Sequence, residues 1–309
     1  MVTSAVSRFR AGADKTESRE LRAHTERIKS AAWNKEGRKL ASCSADKSVR
    51  IWSIDRSQSR DVLELRGHTR AVSCVAWDPE HSDKFASTST DSTLRLWDVR
   101  SYRSETHVVQ TKGENINMSW SSDGACIAVG NKARSTARNC GASLKWANQF
   151  GWNFAGDLFF ITTGTGRVKI FEYPSLKEVH TLFAHTSNAY CIDFEPSGRY
   201  FATGGADAIV ALWDVETLTS VQTYTQLDWP IRALSFSFDG EFVAFGSEDT
   251  VIEIVHTETA ERVHTLKTNA AVNSIAWHPS KCILAFATDA ADHHSRPASL
   301  QVVSFPRWT

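Results

Sequence analysis

Short apolar runs separated by clusters of Gly, Asp, Ser and Thr recur along the chain, and residues 198–215 show the unit most completely. Tyr200 to Thr203 reads as one strand. Gly204, Gly205 and Asp207 read as a tight turn, where positive φ and side-chain-to-backbone hydrogen bonds are wanted. Ile209 to Val215 reads as a second strand, apolar on both faces up to Trp213, as suits a strand covered on both sides. The same pattern returns at 39–54 and at 85–99, so one supersecondary unit is being copied.

The period follows from the aromatic that ends the first strand of each copy: Trp33, Trp77, Trp120, Trp152, Phe194, Phe236 and Trp277. The steps between them are 44, 43, 32, 42, 42 and 41 residues. All but one fall in the range of a four-stranded propeller blade, and seven anchors predict seven blades. Gly37, Gly124, Gly156, Gly198 and Gly240 each stand four residues after an anchor, where a tight hairpin needs positive φ.

A second register runs in step. His24, His68 and His185 each stand nine residues before an anchor. Each is followed by a hydroxyl (Ser42, Ser87, Thr203), an acid (Asp46, Asp91, Asp207) and an indole (Trp52, Trp97, Trp213). A buried carboxylate costs several kcal/mol unless its oxygens are paired, and one hydrogen-bonded chain through these four groups would pair it. His, Ser and Asp together also suggest a catalytic triad. Repetition argues against that: an active site appears once, and here each copy is tied to a Trp.

These motifs resemble the WD40 family over about residues 19–309, with Trp97-Asp98 and Trp213-Asp214 as its WD dipeptide and Trp52-Ser53 and Phe171-Glu172 as degenerate copies. The resemblance implies that the four residues form a structural tetrad. The expected fold is all-β, a seven-bladed WD40 β-propeller with blade three irregular or truncated at its outer strands. The last unit has strands at 271–277, 283–288 and 300–305 and then ends. Ser18–Ala23 is the candidate fourth strand, since a closed ring leaves no open edge. Residues 1–18 are expected to be a short, disordered tail. They are basic and carry Ser, so a mitochondrial presequence is the weaker alternative.

The short step between Trp120 and Trp152 lacks about ten residues of the usual blade length. Asn115–Trp120 and Cys126–Gly130 read as sound strands, but 131–149 has no alternating apolar run. That segment carries Lys132, Arg134, Arg138 and Lys145 and no acid. It reads either as a disrupted blade, which includes the case of a mis-joined coding sequence, or as a basic loop for phosphate. In the loop 289–299, adjacent His293 and His294 have no neighbouring ligand in sequence and read as solvated.

Composition narrows the function. Thirty-five basic and 35 acidic residues cancel, so bulk charge gives no reason to expect nucleic acid or an acidic membrane. No apolar run is long enough to cross a bilayer. The six cysteines (43, 74, 126, 140, 191, 282) have no CxxC pair and read as buried free thiols of a reducing compartment. No phosphate loop, zinc spacing or nucleophile elbow stands out. An enzyme would need charged groups converging on the central channel, and the inner strands read as apolar. No catalytic residue, cofactor, metal, membrane or small-molecule substrate is expected.

The tetrad His is absent before two anchors. Thr111 opens Thr-Lys-Gly-Glu-Asn-Ile-Asn117, and Leu227 opens Leu-Asp-Trp-Pro-Ile-Arg232; both segments are expected on one rim. Lys112, Glu114, Asn115, Asp228, Trp229 and Arg232 are the partner-binding candidates. Trp229 is either an interface hot spot or a plug for the space the His leaves. With Ala128-Val-Gly-Asn131, Phe171-Glu-Tyr-Pro-Ser-Leu176 and Tyr200-Phe-Ala-Thr-Gly-Gly-Ala-Asp207, these segments resemble the THO complex subunit 3 family over about 23–305. The resemblance breaks at 133–147, where that family continues with two ordinary strands. It implies a non-catalytic scaffold of the nuclear THO/TREX assembly, joined to other THO/TREX subunits. Such a scaffold couples transcription and mRNA processing, splicing included, to mRNA export, and it meets mRNA through the complex. The competing reading is a WD40 substrate receptor of a cullin ubiquitin ligase, from the WDxR pattern at Trp97–Arg100, with Arg100 meeting the adaptor.

Overall fold

The computed structural model describes residues 6, 7, 9, 16–54, 62–101, 105–131, 135–137, 143–144, 147–289 and 298–305. Every strand pairing among them is antiparallel, and the strands form seven four-stranded sheets arranged as a propeller. Each anchor aromatic is the last residue of its sheet's inner strand, from Ile28–Trp33 in the first unit to Val272–Trp277 in the last. Each glycine four residues on has a φ between 67° and 82°. At Gly240 a Cβ would stand only 2.1 Å from the Glu195 carboxylate of the preceding unit, so the turn needs glycine for space as well as for φ.

Six sheets are built of strands five or six residues long. The third has regular strands at Asn115–Trp120 and Ile127–Asn131, then outer strands of only three and two residues, Ser135–Ala137 and Ser143–Leu144. Complete blades therefore number six, against the seven counted from the anchors, and the third is truncated at its outer strands as its short step led one to expect. The physical reason is the missing length: the short anchor-to-anchor step leaves too few residues for full outer strands. Lys132, Arg134, Arg138 and Lys145, Cys140, and His293 with His294 lie outside the described residues.

The ring closes where the two chain ends meet. Glu17–Leu21 pairs with Leu300–Ser304 over five register positions, from Glu17 opposite Ser304 to Leu21 opposite Leu300. The expectation of a disordered stretch over 1–18 fails at three places. The strand already starts at Glu17, and Val6 and Phe9 are buried. The Phe9 ring lies 5.0 Å from that of Phe242 and 4.9 Å from that of Phe305, filling the seam between the sixth and last units. Val6 and Phe9, apolar residues between Ser, Arg and other polar positions, were the available signal.

One turn works differently from its sequence reading. Gly204 and Gly205 belong to the strand Tyr200–Gly205, and the residue with positive φ is Ala208. Close approach explains the glycines instead. A Cβ on Gly204 would lie 2.6 Å from both Cys191 Sγ and Ile231 Cγ2, and one on Gly205 would lie 2.4 Å from His185 Nδ1. Among the described cysteines, Cys43, Cys191 and Cys282 are buried free thiols, with Cys74 and Cys126 partly buried.

Neighbouring sheets are tied by side chains of the inner strands. Trp33, Trp77 and Trp120 each donate their indole N–H to the preceding unit's inner strand, at Ala276, Ala32 and Ala76, over 2.9–3.1 Å. The backbone N–H groups of Ile192, Phe236, Trp277 and Ala31 in turn donate to Gln149, Asp193, Ser235 and Ser274 of the unit before.

Candidate partner-binding rim and channel

The three copies of the His–hydroxyl–Asp–Trp set are brought together as closed chains. In the first unit Trp52 Nε1 donates to Ser42 Oγ over 2.9 Å, Ser42 Oγ lies 2.8 Å from His24 Nε2, and His24 Nδ1 lies 2.8 Å from Asp46. The second unit repeats this through Trp97, Ser87, His68 and Asp91 at 2.8, 2.8 and 3.0 Å. The fifth does so through Trp213, Thr203, His185 and Asp207 at 3.1, 2.9 and 2.9 Å. Each Asp also accepts the backbone N–H after its His, from Thr25, Thr69 and Thr186. The hydroxyls and imidazoles are buried, so no substrate reaches them. Burial opposes ionisation of Asp91, but donors from Thr93, the Thr69 N–H and His68 hold its carboxyl down at about 2. Burial likewise opposes ionisation of Asp46, and the bonds from His24 and Ser48 outweigh it and keep it well below the usual range. Burial lowers the His185 imidazole, which favours the neutral ring that can donate on one side and accept on the other.

In the sixth unit the frame is replaced as a whole. Leu227, Phe245 and Val255 occupy the offsets of His, hydroxyl and Trp, and all three are buried in one apolar cluster. Only the acid survives: Asp249 accepts from Ser247 and, at 3.4 Å, from the Asp228 N–H. The offsets alone would have revealed this substitution. It also leaves no space for Trp229 to plug. Leu227 fills the vacated space, and Trp229 projects from the rim with 54 % of its surface exposed.

In the third unit Thr111 stands in the His position and donates to the Ser92 carbonyl and to Asn115 Oδ1, and Asn115 donates to the Thr93 carbonyl. Asn115 is fully buried, so it belongs to the frame and not to a contact surface. Lys112 is exposed, and Glu114 pairs with Arg70 of the neighbouring loop at 2.7 Å. Asp228 is exposed. Arg232 lies 4.8 Å over the Tyr190 ring and pairs with Glu248. Arg100 is committed to Asp98 through a bidentate contact of 3.0 and 2.7 Å.

The channel corrects a further expectation. The inner strands present polar residues to it, including Lys29, Ser73, Asn117, Gln149, Tyr190, Arg232 and Asn273. The alternation of the strand explains the error: every second residue faces the sheet core and makes the run read as apolar, while its neighbours face the axis. At the opposite end the channel opens into a cavity of about 860 Å³ walled by Trp120, Trp152, Phe154, Phe194 and Asp193. Burial pushes the Asp193 carboxyl up to about 6, although it accepts the N–H groups of Phe194 and Phe236.

The profile of a THOC3 beta-propeller domain matches residues 24–287. The chain belongs to this family. Its matched span starts at the first tetrad His and ends in the closing sheet, so it contains both loops where the tetrad is broken. THO complex subunit 3 of Arabidopsis thaliana is 44 % identical over 284 residues, covering 88 % of this chain and 90 % of that protein. WD repeat-containing protein AAC3 of Dictyostelium discoideum is 31 % identical, covering 87 % of this chain and 63 % of that protein. The beta-propeller domain of Cps50 (Swd1) from Myceliophteria thermophila superimposes with a TM-score of 0.78 at 16 % identity, over 93 % of this chain and 99 % of that one, a likeness of fold.

Asp193 yields a stability test of the family's channel wall. Its folded pKa lies above the unfolded value of about 4, so the native state holds the extra proton and stability falls as pH rises from about 4 through about 6. Asp193→Asn removes the buried charge but leaves a single acceptor oxygen for the Phe194 and Phe236 N–H groups, a cost that is the same at every pH. Its stability relative to the wild type is therefore expected to rise by about 2 kcal/mol between pH 4 and pH 7.5. Denaturant melts of both proteins across that range measure it, and a pH-independent difference would disprove it.

Proposed function

We propose that the protein is a non-catalytic WD40 scaffold subunit of the nuclear THO/TREX complex, coupling transcription and mRNA processing, splicing included, to mRNA export. Membership of the THOC3 beta-propeller family and the 44 % identity to a THO complex subunit support the assembly. The observation that carries the scaffold role is the sixth unit's rim. Its frame is apolar and complete without the loop's polar residues, yet the loop holds up an exposed Trp229, a residue type that anchors interfaces. The balanced net charge supports contact with mRNA through other subunits.

Immunoprecipitation of the tagged protein from nuclear extract is expected to recover THO subunits and poly(A) RNA. Recovery of neither would reject the reading. Trp229→Ala is expected to reduce the recovered THO subunits about tenfold with an unchanged melting temperature, because the side chain supports nothing in the core. Undiminished recovery would move the interface elsewhere.

A further inference from the structure

In six of the seven units the second residue of the inner strand lines the channel, close to the rim that carries Trp229: Lys29, Ser73, Ile116, Tyr190, Arg232 and Asn273. In the fourth unit, where the pairing register shifts between Ala147 and Phe150, Gln149 takes this place. The ring thus contains two cations and no carboxylate. The carboxylates nearby stand outside it and are engaged, Glu248 by Arg232 and Asp289 by Arg27 and Asn273. Lys29 has no ion-pair or hydrogen-bond partner among the described residues; burial and then the charge of Arg27 lower its pKa, and Asp289, which is itself bound by Arg27 and Asn273, attracts it without contact. Asn117 and Asn273 spend their amide N–H groups on the Asn148 and Ile28 carbonyls and on Asp289. The Tyr190 hydroxyl makes no hydrogen bond among the described residues. The mouth therefore presents one ammonium without a contact partner and one free phenol to a polar cavity.

We propose that this mouth receives the carboxylate of an Asp or Glu side chain from a protein partner, with Lys29 as the ionic contact and the Tyr190 hydroxyl as a second donor. Three observations select that ligand. The cavity at the mouth measures about 210 Å³, below the roughly 300–1,000 Å³ of small-molecule sites, so it takes a side chain and not a cofactor. One ammonium without an ion-pair contact matches a carboxylate, whereas a phosphate calls for several cations or a bidentate Arg fork, and Arg232 is already held by Glu248. The mouth is closed on all sides by the ring, whereas a nucleic-acid strand needs an open groove of stacking faces and cations. Tyr190 is stacked under Arg232, which fixes the phenol at the wall and leaves little side-chain freedom to lose on binding.

The proposal rests on the rim being a partner surface, but its test needs only the isolated protein. A failed co-precipitation and a failed peptide titration therefore remain distinguishable. A short fluorescein-labelled peptide of alternating Gly and Glu, its Gly-Gln counterpart and a labelled oligouridylate would be titrated with the full chain and followed by anisotropy. The Glu peptide is expected to bind, more weakly as salt rises, and the Gln peptide to bind at least fivefold more weakly, roughly 1 kcal/mol. Lys29→Gln is expected to weaken Glu-peptide binding by about fivefold and Lys29→Arg to restore it. Lys29 is exposed, so both variants should melt with the wild type, and melting curves report this directly. Four results would overturn the proposal: no binding of the Glu peptide, equal binding of the two peptides, indifference to Lys29→Gln, or Lys29-dependent binding of the oligouridylate in preference to the peptide.

Discussion

Removal of residues 1–23 is expected to lower the midpoint of thermal unfolding by more than about 10 °C, a shift that calorimetry or fluorescence would measure. The segment supplies the outer strand of the closing sheet and three buried apolar side chains, Val6, Phe9 and Leu21. Truncating a buried Leu or Phe alone costs about 2–5 kcal/mol each, so the summed loss exceeds about 5 kcal/mol, a third or more of an ordinary protein's stability. The Leu300–Ser304 strand would also become an open edge beside the apolar cluster of Leu300 and Val302, which favours aggregation on heating. A shorter deletion of residues 1–10 removes Val6 and Phe9 and keeps the strand, so its midpoint should fall between the two. A full-length midpoint for the longer deletion would show that the N-terminal strand does not close the ring.

Asp207→Ala is expected to cost about 3 kcal/mol of stability. It strips a partner from a buried imidazole and from the Thr186 N–H, and each orphaned donor costs about 1–3 kcal/mol. The same substitution at Asp249 provides the contrast. That residue has the same offset in the sixth unit, but Leu227 replaces the His, and its bonds are longer, at 3.2 and 3.4 Å. Asp249→Ala is therefore expected to cost below about 1 kcal/mol. Denaturant melts of the two variants measure the difference. Equal losses would mean that the His-to-Asp bond contributes nothing special, and a loss of partner binding without a loss of stability at Asp207 would make it a contact residue instead of a frame residue.

Why was so much of the fold legible? Each inner strand ends on an aromatic, and five of the seven are followed at a fixed distance by a glycine with positive φ. Both features are local, so they leave a periodic trace in the chain. The tetrads were legible for the same reason: three hydrogen-bonded chains of one geometry demand the same residue types at the same offsets. The wholesale apolar replacement at Leu227, Phe245 and Val255 could have been read from those offsets too. The candidate site was only partly visible. Asn115 looked like a rim residue because its loop lacks the tetrad His, but its side chain turns inward to Thr111 and the Thr93 carbonyl. Gly204 and Gly205 looked like turn glycines, and only the nearness of Cys191, Ile231 and His185 shows that they make room instead.

The sequence by itself determined the repeating unit, the position of every inner strand's end and the identity of the three internal frames, because each depends on contacts within a single unit. Tertiary structure alone decided what depends on closing the ring. It placed Phe9 against Phe242 and Phe305, two residues far apart in the chain, and raised the Asp193 carboxyl in a wall shared by two units. It also gathered Lys29, Tyr190 and Arg232 from three units into one mouth. No periodicity in one unit can specify such a set, since its members come from different units and meet only when the ring is closed.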